Sequence, residues 1–259
     1  MSENPPTEQV NGYYIYGVVP AEVEIDPEAK GVGDPPASVR AVRHGKIAAL
    51  VSEIQLDRPL GTPQDLMAHE QLLDAAAAEV PVLPIRFGAV LANGDAVLEE
   101  FLEPYHDDFA AALAELEGRA QYVVKGRYVE DVVLSEVLDE NPEAARLREE
   151  IRELPDDASR DRRIQLGEII NGSITAKRDA DTQALVEGVE GVSVMVSERP
   201  PSHEQDAVHV ALLVENGRQG ELERVVDEFG RRWSGRITLR LLGPLAPYDF
   251  VVSQNQEAR

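Results

Sequence analysis

With 25 Lys and Arg against 48 Asp and Glu in 259 residues, the chain has a formal net charge of −23, and its long-range field repels phosphate backbones and anionic lipid surfaces. Cysteine is absent, which excludes disulfide staples, thiolate catalysis and Cys-based zinc or iron–sulfur sites and fits a reducing cytoplasm. An apolar share of 43% fills real cores, two domains are expected at this length, and neither a signal peptide nor a run of 18 apolar residues is found, so nucleic acid and membrane are set aside as partners.

Residues 1–11 and 253–259 are polar and are expected to be disordered. Tyr13 to Val19 reads as a strand, and the Pro/Gly-rich stretch from Pro20 to Pro36 as a long connection. Val39–Val42 and Ile47–Val51 flank His44-Gly45 as a hairpin, with glycine supplying the positive φ of a tight turn. Thr62-Pro63-Gln64-Asp65 opens a helix with a capping hydroxyl, a first-turn proline and an acid; it runs to about Glu79 with Leu66, Leu73 and Ala77 at helical spacing. Val82 to Val90 reads as a buried strand. Leu98, Phe101, Leu102, Tyr105, Phe109, Leu113 and Leu116 mark an amphipathic helix that Pro104 kinks or restarts.

Beyond the expected boundary near Gly118, Tyr122–Val129 is a strand and residues 130–155 are a charged helical insertion. A long helix over about 158–186 carries Leu166, Ile170 and Ile174. Val189–Val196 and Ala207–Val214 read as strands, Leu222 to Trp233 as a helix, and Ile237–Leu242 as the last strand. The order β, α, β, β, α, β is that of a ferredoxin-like domain. The expected fold is therefore α+β: an antiparallel sheet with helices over 12–118, then a ferredoxin-like domain over 119–252 that ends in an extended tail.

No reaction centre emerges. His69-Glu70-Gln71-Leu72-Leu73 starts like a zincin helix but has Leu73 where a second histidine is required. His69 reads instead as a satisfied core or rim histidine, and the five histidines lack ligand spacing. Gly31-Val32-Gly33 lacks a third glycine and a strand-to-helix setting, so no nucleotide site is expected. Asn171-Gly172-Ser173 falls inside a helix, and Ser52, Ser135 and Ser197 lack a nucleophile-elbow context. Adjacent carboxylates such as Glu99-Glu100 and Asp156-Asp157 diverge on a helix and read as solvated faces. No catalytic, cofactor or metal residue is assigned.

Two segments carry more information. Pro81-Val82-Leu83-Pro84-Ile85-Arg86-Phe87-Gly88 sets one arginine on an apolar strand, either as a structural ion pair at a sheet edge or as a partner contact. In Gly243-Pro244-Leu245-Ala246-Pro247-Tyr248-Asp249-Phe250, the prolines restrict the backbone and Tyr248 and Phe250 share one side of an extended segment. Their rings either dock back onto the body or form a surface for another protein.

Together these segments resemble the GvpF/GvpL family of gas vesicle proteins. Tyr13 to Gly17, Arg163 to Glu168, Leu212 to Glu215 and Gly235-Arg236 extend the resemblance over most of the chain. It implies an N-terminal α+β domain with a C-terminal ferredoxin-like one. It also implies a cytoplasmic, gas-vesicle-associated accessory factor without enzymatic activity, which binds the small apolar shell subunit, limits its aggregation during nucleation and remains a minor component of the particle. Other gas vesicle accessory proteins are the further partners implied. Ala246 stands where relatives often have another proline. Arg86, Phe87, Gly88, Pro244, Pro247, Tyr248 and Phe250 are the candidate partner-contact or interdomain residues. The competing reading is a ligand-binding or enzymatic ferredoxin-like protein with a polar pocket.

Overall fold

The described chain opens on a strand because Asn11–Pro20 is rich in aromatic and β-branched residues, and this strand, β1, lies inside the first sheet between β3 and β4. In the computed structural model, which describes residues 11–56 and 59–251, Arg40–His44 (β2) and Ile47–Gln55 (β3) form the expected hairpin around Gly45, whose φ is +55°. β3 pairs antiparallel with β1, with a register shift between Ile15 and Gly17. Asn11 lies in β1 rather than in a disordered end; the rest of that expectation, and the one for 253–259, lies outside the described residues.

The helix α1, Pro63–Ala77, starts at the capping hydroxyl read from the sequence, and the first-turn acid completes a capping box: Asp65 N–H donates to the Thr62 hydroxyl while the Asp65 carboxylate accepts from Thr62 N–H. The strand expected over 82–90 is a correction. Only Leu83–Pro84 (β4) and Val90–Leu91 (β5) pair with β1. Pro84 has no N–H to continue the ladder, and Gly88 at φ +94° turns the chain between them. The first sheet has the order β2-β3-β1-β4, with β5 also on β1.

Gly94–Ala96 (α2) leads into a π-helical stretch over Val97–Leu102, and His106–Leu116 (α3) follows a turn that contains Pro104, so the helix restarts there. The strand β6, Arg119–Tyr128, comes next. The charged insertion is two helices, α4 (Glu130–Glu140) and α5 (Pro142–Glu153), before the long α6, Asp156–Val189. Arg236 ties the insertion down. Its guanidinium binds Glu136 at 3.0 Å and Asp181 at 2.8 Å, and lies 5.4 Å from the Tyr128 ring centre.

Strand β7 is Met195–Glu198, shorter and later than the expected 189–196, because Val189 completes the buried face of α6. Asp206–Glu215 (β8), Gln219–Arg232 (α7) and Ile237–Leu245 (β9) complete a four-stranded sheet of order β7-β8-β6-β9. On β6, Tyr122 and Tyr128 reach Gln219 at the start of α7 and Asp181 on α6, so that face of the strand meets the helices. Gly126 shares it, and a Cβ there would sit 2.7 Å from Val208 and 2.8 Å from Leu239. Gly126→Ala is therefore expected to cost about 1–3 kcal/mol by overpacking, measured by denaturant unfolding.

The chain divides into two compact units, 1–121 with 243–259, and 122–242. The tail from Gly243 thus groups with the first unit, whereas the sequence reading attached it to the second. A short helix, Tyr248–Val251 (α8), ends the described chain. No helix among the described residues is long and apolar enough to cross a membrane.

Candidate functional site

Within the first unit the two proline-rich segments meet at His69. This residue is 2% exposed and lies on the inner face of α1, one turn before Leu73. Its Nδ1 is 2.8 Å from the Tyr14 hydroxyl on β1, and its Nε2 is 2.8 Å from the Tyr248 hydroxyl on α8. The Tyr14 oxygen also accepts the Gly88 N–H at 3.2 Å. Phe87 packs edge-on against both Tyr14 and His69, with centroids 5.7 and 5.5 Å apart. Neutral imidazole offers one donor and one acceptor, which matches a chain of two hydroxyls.

The electrostatics follow from this burial. Desolvation lowers the His69 pKa to about 4, against the weaker opposing effect of the Ile85 backbone. Burial also pushes the Tyr14 and Tyr248 hydroxyls upward, so both stay protonated and able to donate. The site is a neutral hydrogen-bond relay enclosed by aromatic rings, and it has a structural rather than a nucleophilic character.

The tail is fixed at further points. Ala246 is buried, and its N–H donates to Asp74 Oδ1 at 2.8 Å. A proline at that position would have no N–H to give, so the alanine adds a hydrogen bond. Asp249 N–H donates to the Gln121 side chain at 3.1 Å. The Asp74 carboxyl is raised by burial, an effect the Ala246 N–H opposes.

The seven candidate residues divide accordingly. Tyr248 and Phe87 are half-buried around His69, Pro247 is buried, Pro244 and Phe250 are half-buried, and Arg86 and Gly88 are exposed. Arg86 has no hydrogen-bond or ion-pair partner among the described residues, so the edge ion pair anticipated for it does not form there. Of the two readings for the tail rings, Tyr248 follows the first and docks back. Sequence reasoning missed Tyr14 and Asp74; the signal was available, since Tyr14 and Tyr16 share one face of an otherwise apolar strand and a buried hydroxyl needs a partner.

α1 also exposes Leu66, near the start of its inner face, and Met67, the latter 53% exposed. With the connection through Ala29, Gly33 and Pro36, Met67 and Leu72 line a groove of about 430 Å³. Among the described residues, no group of three or more His, Asp or Glu could hold a metal ion.

Comparison with known proteins places this geometry in context. A family profile described as "Gas vesicle synthesis protein GvpL/GvpF" matches residues 12–252. Gas vesicle protein F of Streptomyces sp. (strain CB03234) is 32% identical over 240 residues, covering 92% of this chain and 98% of that one. Gas vesicle protein L of the same strain is 28% identical, over 95% of this chain and 97% of that protein. The crystal structure of GvpF from Anabaena sp. PCC7120 superposes with a TM-score of 0.75 at 22% identity, covering 93% of this chain and 98% of that one. The likeness to that structure establishes the mixed helix-and-sheet fold.

Proposed function

The chain belongs to the GvpL/GvpF family of gas vesicle synthesis proteins, and from that premise we propose that it is a gas vesicle accessory protein that binds the small apolar shell subunit and limits its aggregation during nucleation. The observation that carries this reading is the family match across residues 12–252. The family is one of gas vesicle proteins and not a known family of enzymes. Contact, rather than bond making, is the mode of action proposed, in the cytoplasm and on the vesicle, alongside other accessory proteins.

The second unit, with strand order β7-β8-β6-β9 and helices α6 and α7 in the crossovers, fits a ferredoxin-like scaffold. For the first unit, the proposal is that the tail and α1 form the contact surface. Arg86, Gly88 and Phe250 leave exposed or half-exposed surface beside the His69 relay, while Leu66 and Met67 offer apolar area on the same helix. Such a surface covers an apolar helix or strand edge that would otherwise self-associate. The −23 charge keeps the complex dissolved by mutual repulsion.

Co-purification of a tagged chain with the shell subunit tests the reading. Tyr248→Ala with Phe250→Ala is expected to reduce the recovered subunit severalfold, and so is Met67→Lys, which puts a charge on an exposed side chain and leaves the relay alone. Unchanged recovery with both variants contradicts this assignment of the contact surface.

A further inference from the structure

The helix α7 turns Leu222, Val226 and Phe229 inward at intervals of three and four, so the flank one residue further round carries Glu223, Asp227 and Gly230. That flank and β9 line one groove of about 800 Å³, with Leu239 and Leu241 on the strand side. All of its lining residues belong to the second unit. Strand β9 ends the order of the second sheet, so one of its edges pairs with no strand among the described residues. An open edge recruits an extended peptide backbone, and the side chains beside it select the peptide.

The two acids of the groove are not neutralised within the fold. Glu223 accepts from the uncharged Gln219 amide at 2.9 Å, and Arg218, the cation at the start of the helix, pairs with Glu221 instead. Neither Glu223 nor Asp227 has an ion-pair partner among the described residues. Arg231, one turn past Asp227 on the same wall, likewise forms no ion pair there, so two acids face one cation and the groove is net negative. Gly230 keeps the wall open. A Cβ there would meet nothing within 4 Å, and no positive φ calls for glycine, so neither packing nor backbone geometry in the fold accounts for a residue that weakens a helix.

We propose that the open edge of β9 and the Glu223–Asp227 flank of α7 dock an extended segment of a basic partner protein, which adds as a strand to β9 and sets two Lys or Arg side chains, two residues apart, against the two acids. The spacings agree: side chains on one face of a strand repeat at about 6.6 Å, and side chains four apart on a helix lie about 6 Å apart. The intervening residues of the segment fall on the other face of the sheet, where Leu242 is 46% exposed, and there apolar side chains fit. Charge selects the occupant. A field of −23 draws a basic segment in, and it repels nucleic acid, acidic peptides and a second copy of this chain alike. The edge also requires alternating backbone N–H and C=O groups, which a free polyamine lacks. The groove belongs to the second unit and the His69 relay to the first, and the groove's role does not rest on the function proposed above.

The test uses the full chain and a labelled peptide of alternating valine and lysine, followed by fluorescence anisotropy at fixed salt. The peptide is expected to bind, and Glu223→Gln with Asp227→Asn is expected to weaken it about tenfold or more. Glu99→Gln with Glu100→Gln removes the same charge from exposed positions in the first unit and is expected to leave affinity within about twofold. Gly230→Leu, neutral and favourable to the helix, is expected to weaken binding severalfold without lowering the melting temperature. N-methylation of the peptide backbone at alternate residues is expected to abolish binding. The proposal is overturned if the peptide fails to bind, or if the two charge variants weaken it equally, which assigns binding to the overall field. It is overturned as well if Gly230→Leu binds like the wild type, or if the N-methylated peptide or a valine–glutamate peptide binds as tightly as the parent.

Discussion

His69→Ala is expected to destabilise the first unit by about 3 kcal/mol, because it removes the side chain that links the Tyr14 and Tyr248 hydroxyls and leaves a cavity beside Phe87. The loss is expected to show first at the tail, as faster amide exchange and proteolysis over residues 243–251. His69→Gln keeps a donor and an acceptor and is expected to cost less. The pH dependence separates the two causes. The folded histidine has its pKa lowered from the ordinary 6.5 to about 4, so the unfolded chain binds the extra proton between those values. The stabilisation is therefore complete above about pH 6.5 and is lost as pH falls toward 4, on the order of 3 kcal/mol in all. The Gln variant is expected to have no such slope in excess of the background from other groups; parallel pH profiles for the two proteins contradict the relay.

Asp206→Ala is expected to cost a similar amount, about 3 kcal/mol, in the second unit. The carboxylate is fully buried, and its Oδ2 accepts from the Ser202 hydroxyl and amide at 2.8 Å and from the His203 amide at 2.9 Å. Removing it strands these donors together with the charge of Lys125. Burial by itself would raise this carboxyl; the Ser202 and His203 donors and the Lys125 charge outweigh burial and hold it at about 2, below the usual 3.8. A depressed acid stabilises above the unfolded pKa and loses that contribution as pH falls from about 4 to 2. Asp206→Asn retains an acceptor, is expected to cost less than alanine, and is expected to flatten this acid limb in denaturant titrations. An Asn variant with the wild-type slope at low pH shows that other carboxylates carry it.

The legible parts of the fold were those written in local chemistry. The capping hydroxyl of Thr62, the Gly45 turn, the break at Pro104 and the order of elements after Gly118 all follow from residues close together in sequence. Long-range pairing was hidden. Val82 to Val90 reads as one strand because its composition is apolar, yet the positive φ of Gly88 and the missing N–H of Pro84 divide it into two short pairings with β1. Val189 favours a strand by propensity, and its burial at the end of α6 overrides that preference.

The candidate site was half legible. Phe87, Gly88 and Tyr248 were picked out by motif, but the side chain that joins them, His69, stands 179 residues before Tyr248, and no local periodicity encodes that contact. The tail's attachment to the first unit was missed for the same reason. Prolines fix how the tail leaves β9, whereas its destination depends on Asp74 and His69, both on α1. The charge cluster around Asp206 also escaped notice, since Lys125 and Arg127 on β6 reach that β8 carboxylate only when the strands pair.

Light scattering of the purified shell subunit, diluted from denaturant with and without this chain, tests the central claim most directly. Near-stoichiometric amounts of the folded chain are expected to suppress the rise in scattering, with Met67→Lys less effective. Identical aggregation in the presence and absence of the wild-type chain contradicts the account.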